Sequence, residues 1–281
     1  MTISAKKIRQ LFWHQQQLRP LGWLAVWVAI AFGYICFARF SYILTLSSKF
    51  GAVFWLPAGW VAAIAFRFGY PSLPGIFLGD IVFGFLFRDV SPLACLGISL
   101  SQVLMGVVIC FLSQQWFKDS QRDIFLSLDN LSKFLIIMAL AQGLHTVGAG
   151  LMIPLLLGFP EKIALLNWFI GGWGGAVVVA PFLLSWLQLS WRSQCQQIFK
   201  RESLLLMGLV VLIIWCINQQ IIDLFATRPL AILLPLMLWS CLRFPPMVAT
   251  FHYLWLTCLV IAIPRQSLII PGTNSVAESV L

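Results

Sequence analysis

Charge is what this sequence has least of. Only 10% of its 281 residues are charged and just nine are acidic, while 60% are hydrophobic; an ordinary soluble domain carries roughly 25% charged residues. With a mean hydropathy of +0.93, lipid rather than water is the expected solvent, and a soluble globular enzyme is excluded. Paired cysteines are lacking too. The seven present (Cys36, Cys95, Cys110, Cys195, Cys216, Cys241 and Cys258) are scattered singly, without C-x-x-C or a neighbouring His at ligand spacing. They read as small apolar fillers rather than a disulfide framework or a metal site. Catalytic signatures are also missing: there is no phosphate-binding glycine loop, no H-E-x-x-H and no G-x-S-x-G. A self-contained enzyme is not expected, nor is any cofactor or metal.

What the chain does have is one apolar stretch after another. A bilayer core of about 30 Å needs roughly 20 mainly apolar residues per helical crossing. Proline, glycine and charge punctuation predict nine such segments, near residues 21–45, 51–66, 71–87, 92–115, 131–157, 164–188, 202–217, 229–243 and 246–264. The expected architecture is an all-α polytopic bundle. Its domains read as a cytoplasmic segment over 1–20, a transmembrane domain over 21–264 and an external tail over 265–281. The second, third, eighth and ninth segments carry or abut Pro57, Pro71, Pro74, Pro235, Pro245 and Pro246, so re-entrant hairpins are an alternative to full crossings there. The first apolar run lacks a small-residue cleavage pattern and reads as an uncleaved anchor.

The net charge of +9 reports topology rather than nucleic-acid binding. With the N-terminus inside, twelve basic residues fall in cytoplasmic segments and five outside, Arg39 being set apart within a span; cytoplasmic loops are the ones enriched in Lys and Arg. An internal echo links FWLPAGWVAAIAFRFGYP at 54–71 with LLPLMLWSCLRFPP at 233–246, read either as a duplication or as the recurrence of Pro, Trp and Arg at helix ends.

Ionisable groups inside spans come first as candidates, because each costs about 2.5–3.5 kcal/mol at the bilayer centre. Asp80 is the carboxylate set deepest in a span, Arg39 the deepest basic residue, and His145 lies mid-span. At about 1.5 Å per residue the depths of Arg39 and Asp80 differ by only about 1.5 Å, so an ion pair in the outer half is expected, as a structural staple or as part of a ligand or proton site. Snorkelling of Arg39 is the alternative. For His145 a helix-to-helix hydrogen bond and a pH switch are both open; His14 and His252 show no partner pattern. The GGWGG run at 171–175 permits close backbone approach to a neighbouring helix or to a ligand. Trp55, Trp60, Trp168 and Trp173 lie beside these segments, and Trp55 and Trp173 join Arg39, Asp80 and His145 as sensing candidates.

Three stretches carry a family resemblance: WLPAGWVAAIAFRFGYPSLPGIFLGD (55–80), WFIGGWGGAVVVAPFLLSW (168–186) and LAILLPLMLWSCLRF (230–244). In order and separation they resemble the membrane-associated sensor family of type one, the MASE input domain of bacterial sensor proteins, from about Leu21 to the last residue. The resemblance implies a multi-helix membrane sensor whose full-length members have both ends cytoplasmic and continue into a histidine kinase, a diguanylate cyclase or a related output module. It marks Trp55, Pro57, Ala58, Gly59, Pro74, Gly75, Gly79, Pro181, Pro235, Trp239 and Arg243 as motif positions. Members often carry an acidic residue in the glycine-rich segment, and residues 171–175 contain none. The sequence stops at PGTNSVAESVL, about where a further helix and the output module are expected.

The resulting expectation is a sensory input module in a bacterial inner membrane. Its expected partners are membrane lipids, a fused or separate cytoplasmic signalling domain, a membrane partner protein and a second copy of the chain in a homodimer, with no nucleic acid. The rival readings are a small-solute transporter, which broken helices and an intramembrane Asp would also suit, and a lipid-modifying enzyme using Asp119, Asp123 and Asp129.

Overall fold

A computed structural model describes residues 20–45, 55–88, 90–117, 128–157, 162–186, 196, 198–218 and 233–262. The predicted segment over 1–20, apart from Pro20, and the tail over 265–281 lie outside the described residues, as do His14, Asp119 and Asp123; the side chain of Pro235 is likewise outside them. Among the described residues nine α-helices follow in order: α1 Pro20–Thr45, α2 Leu56–Phe68, α3 Leu73–Phe87, α4 Pro92–Trp116, α5 Leu128–Leu157, α6 Lys162–Trp186, α7 Arg201–Asn218, α8 Leu233–Arg243 and α9 Pro246–Ala262. No strand occurs among the described residues. The all-α expectation holds. The expected count of about nine crossings is not confirmed: among the described residues five helical stretches are long and apolar enough to cross a membrane, Gly22–Tyr42, Tyr70–Phe87, Pro92–Trp116, Leu128–Gly150 and Trp168–Ser185.

The helix ends follow from local chemistry. Leu-Pro opens both α2 and α3 and Pro92 opens α4, placing proline in the first turn, where its missing N–H costs nothing. Ser91 caps α4, its side chain accepting from the N–H of Ala94. α2 stops at Gly69, whose φ of 68° lies in the left-handed region and whose N–H donates to the carbonyl of Ala65. A single 3-10 turn over Tyr70–Ser72 then leads into α3. Both members of the internal echo are short helices, α2 of 13 residues and α8 of 11, and each has an arginine in its last turn, Arg67 and Arg243, where a cation complements the helix C-terminus.

α2 is the hub. It packs against α6, α1 and α4, and every residue from Leu56 to Phe66 except Trp60 is buried. Thirteen residues rise about 20 Å, short of a bilayer core, and enclosure by neighbours rather than length places this helix. Its run of alanines is what allows enclosure on all sides, because small residues let helix backbones approach. One core cluster joins α2 to α4, α5 and α6 through Ala62, Met105, Ile109, Phe134, Met138 and Ala176. A second joins α2 to α1 and α3 through Ile30, Tyr34, Val61, Ile64, Ile76 and Phe83. The last three helices form separate clusters around Leu206, Met247 and Val248 and around Val210 and Met237, and α9 connects them to α6, with the Phe182 and Phe251 rings 6.0 Å apart.

Polarity is inverted relative to a soluble protein. Large apolar side chains such as Leu24, Phe32, Phe85, Leu100, Phe111, Leu140 and Leu212 face outward, while Asp80, Ser99, Gln102, Gln142, His145 and His252 are buried. So wide an apolar exterior is stable only where lipid covers it. The chain is a multi-pass membrane protein.

Candidate functional site

The site grows from one buried carboxylate. Asp80, on α3 and fully buried, accepts at Oδ1 from the Tyr34 hydroxyl of α1 and from Arg88 Nη2 at 2.7 Å. Its Oδ2 accepts from Ser99 Oγ of α4 at 2.7 Å and from Arg88 Nη1 at 3.4 Å. One anion therefore registers three helices. Its neighbours come close because Gly79 and Gly75 have no side chain: a Cβ at Gly79 would lie 2.7 Å from Tyr34 Cβ, and one at Gly75 would lie 2.9 Å from Ile30 Cβ. Motif glycines of α3 thus set the α1–α3 distance that the Tyr34 bond requires.

Arg88, not Arg39, is the cation of this site, which corrects the expected Arg39–Asp80 pair. The reason is local. α3 ends at Phe87 and Arg88 takes an extended backbone conformation (φ −97°, ψ 126°), so its side chain folds back to the carboxylate eight residues earlier. The Arg88 guanidinium lies 5.3 Å from the Phe83 ring centre and 5.9 Å from that of Trp55, within cation–π range. Burial alone would disfavour its charge, but the Asp80 carboxylate outweighs that and holds Arg88 above the ordinary arginine range. Arg39 is exposed and sits 4.4 Å over the Phe87 ring; Phe87 in turn touches Phe83 at 5.3 Å. The structure therefore brings Asp80 and Trp55 together around Arg88 and leaves Arg39 on the aromatic rim.

Trp55 also ties this site to α6. Its backbone N–H donates to the Gly171 carbonyl at 2.8 Å, and a Cβ at Gly175 would fall 2.1 Å from the Trp55 carbonyl oxygen. Gly59 faces the same helix, its missing Cβ position 2.4 Å from Val179 Cβ. The GGWGG run thus accommodates the start of α2, with Pro57 and Ala58 buried beside it. Trp173 has other partners: its Nε1 donates to the Leu135 carbonyl at 3.4 Å and its ring stacks on Phe169. Pro181 lies inside α6, where it removes a helical donor. Pro74 and Trp239 are exposed, and Arg243 pairs at 3.0 Å with Glu202 on the surface.

Two further polar groupings hold the rest of the bundle. His145 of α5 meets Ser101 Oγ of α4 through Nδ1 at 2.9 Å, and its ring lies edge-on to Trp168 of α6 at 6.1 Å. His145 is thus a helix-to-helix bond, separate from the Asp80 site. His252 of α9 is bracketed by Ser203 of α7 at 2.8 Å and Ser240 of α8 at 2.7 Å, a clasp the sequence does not reveal because its partners stand 49 and 12 residues away. Among the described residues no group of three or more His, Cys, Asp or Glu could hold a metal ion.

Compared with known proteins, the chain matches the MASE1 family model over residues 26–278. No curated protein and no solved structure matches it.

Proposed function

The chain belongs to the MASE1 family of membrane sensory input domains, and on that premise we propose that its bundle responds to a stimulus by shifting between two packings and relays the shift to a cytoplasmic output domain, a kinase or a diguanylate cyclase. In this reading the N-terminus is cytoplasmic, the membrane is the bacterial inner membrane, residues 21–264 form the sensing unit and the chain works as a homodimer without catalysis of its own. The observation that carries it is the Asp80–Arg88 site. A single carboxylate satisfied by α1, α4 and the end of α3, beneath a Trp55 that contacts α6, couples the positions of four helices. Moving α1, α3 or α4 breaks a charge-assisted bond in a water-poor interior and moving α6 breaks the Trp55–Gly171 backbone bond, so the helices move together or not at all. A stimulus acts only if it favours one packing over the other.

A diguanylate cyclase module joined through a further helix after Leu281 tests this. The fusion should make cyclic di-GMP at a level that substitutions at Trp55, Asp80 or Trp173 shift several-fold while the protein stays membrane-inserted. Output indifferent to all three, or solute uptake by the 281-residue chain alone in sealed vesicles, contradicts the reading.

A further inference from the structure

The neighbouring ends of α1 and α3 carry a cation that no carboxylate of the described residues meets. The two helices run side by side in the same direction: Gly75 lies against Trp27 and Ile30, Gly79 against Ala31 and Tyr34, and the Phe87 ring under Arg39. Their apolar stretches finish together at this level, Gly22–Tyr42 on α1 and Tyr70–Phe87 on α3. Arg39 stands three residues, about 4.5 Å, before the first of these ends. Its guanidinium therefore belongs to the border between hydrocarbon and headgroups, which a long arginine stem reaches. Asp80, Asp129 and Glu202, the carboxylates of the described residues, pair instead with Arg88, Lys133 and Arg243, and Arg39 is exposed.

The group is nonetheless held in place. Its guanidinium lies 4.4 Å over the Phe87 ring centre, and Phe87 is seated against Phe83 at 5.3 Å. Stacking on a ring uses the planar face of a guanidinium and leaves the N–H groups along its edge, the fork that matches phosphate oxygens. Tyr42 follows three residues later on the same face of α1. It is 38% exposed, with its ring edge-on to Phe83 at 6.0 Å, and adds a phenolic donor to the same aromatic base. Two turns before Arg39 on that face stands Phe32, 68% exposed, an apolar surface for acyl chains. A lipid tail cannot answer the charge and water only solvates it; a phosphate with net negative charge at headgroup depth neutralises it.

We propose that the Arg39–Tyr42 face of α1, backed by Phe87, binds the phosphate of an anionic phospholipid, with Arg39 taking two of its oxygens, Tyr42 donating to it and the acyl chains running along Phe32. The site is distinct from the Asp80–Arg88 site and stands whether or not the chain is a sensor.

Solid-state NMR of the full chain, with carbon-13 at arginine Cζ, reads the contact as dephasing of the Arg39 signal by phosphorus-31. The signal is assigned by its loss in Arg39→Lys, or in Arg39→Gln if the first variant does not insert. In phosphatidylglycerol vesicles Arg39 should be strongly dephased. In phosphatidylcholine vesicles, whose choline already balances the phosphate, dephasing should fall several-fold. Dodecyl maltoside micelles contain no phosphorus, so inorganic phosphate added to them separates a lipid site from a site for the free anion; no dephasing of Arg39 is expected there. Equal dephasing in the two lipids, dephasing by inorganic phosphate in the micelles, or none in phosphatidylglycerol overturns the proposal.

Discussion

The first six helices and the last three are held together by different physics. Around α2 the packing is close, through glycines and alanines, and is registered by a buried charge pair that satisfies every lone pair of Asp80. In α7–α9 the helices share one neutral imidazole between two serines, backed by an exposed Arg243–Glu202 pair. A neutral clasp tolerates loosening at modest cost, since interhelical hydrogen bonds in membranes average about 0.6 kcal/mol. A buried ion pair does not, because separating it strands a charge. The first region is therefore all-or-none and the second is compliant.

The comparison is broken most sharply at Asp80. Asp80→Ala leaves Arg88 buried without its partner and should cost about 3–5 kcal/mol, read as lost resistance to unfolding in detergent or nanodiscs. Adding Arg88→Leu should restore part of that loss, whereas adding Arg39→Leu should be additive with Asp80→Ala. Coupling of Asp80 with Arg39 rather than Arg88 would reverse the assignment. A smaller effect is expected at the α2–α6 contact: Gly175→Val places atoms on the Trp55 carbonyl and should cost about 3 kcal/mol, the upper part of the usual overpacking range. The same change at Gly208 of α7, which has open space around it, should be nearly neutral by the same measurement.

In the compliant region the numbers fall. His252→Leu removes two hydrogen bonds and should cost about 1 kcal/mol; a loss as large as that of Asp80→Ala would erase the distinction between the regions. Smallest of all, Glu202→Gln breaks an ion pair in which both side chains are more than half exposed and should change stability by less than about 1 kcal/mol, with the change vanishing in high salt.

Much of this architecture was legible before any coordinates. Long apolar runs with proline punctuation located the helices to within a few residues, as with 92–115 against Pro92–Trp116 and 246–264 against Pro246–Ala262. The crossing count was less legible, because an enclosed helix such as α2 reads like a short span when only composition is seen. Asp80 stood out as an intramembrane carboxylate, but its partner did not. Depth along helix axes selects Arg39, while Arg88 falls in a segment read as an external loop, and only the extended backbone after Phe87 turns it inward. Tyr34, Ser99 and Ser101 are ordinary residues in apolar helices. Their roles arise from which faces meet, and no spacing within one helix encodes that. The same holds for His252, whose two serines come from separate helices.

On the proposed reading, the Asp80–Arg88 site sets the signalling state as well as holding the helices. Asp80→Asn keeps the shape and removes the charge, so the decisive quantity is the cyclic di-GMP level of the cyclase fusion carrying Asp80→Asn, set beside that of the unsubstituted fusion and of one carrying His252→Leu, at equal membrane abundance. The account predicts a several-fold change in output for Asp80→Asn and a markedly smaller one for His252→Leu. Equal output from all three, with Asp80→Asn nonetheless less stable, would show that the buried pair is a staple and that signalling is controlled elsewhere in the bundle.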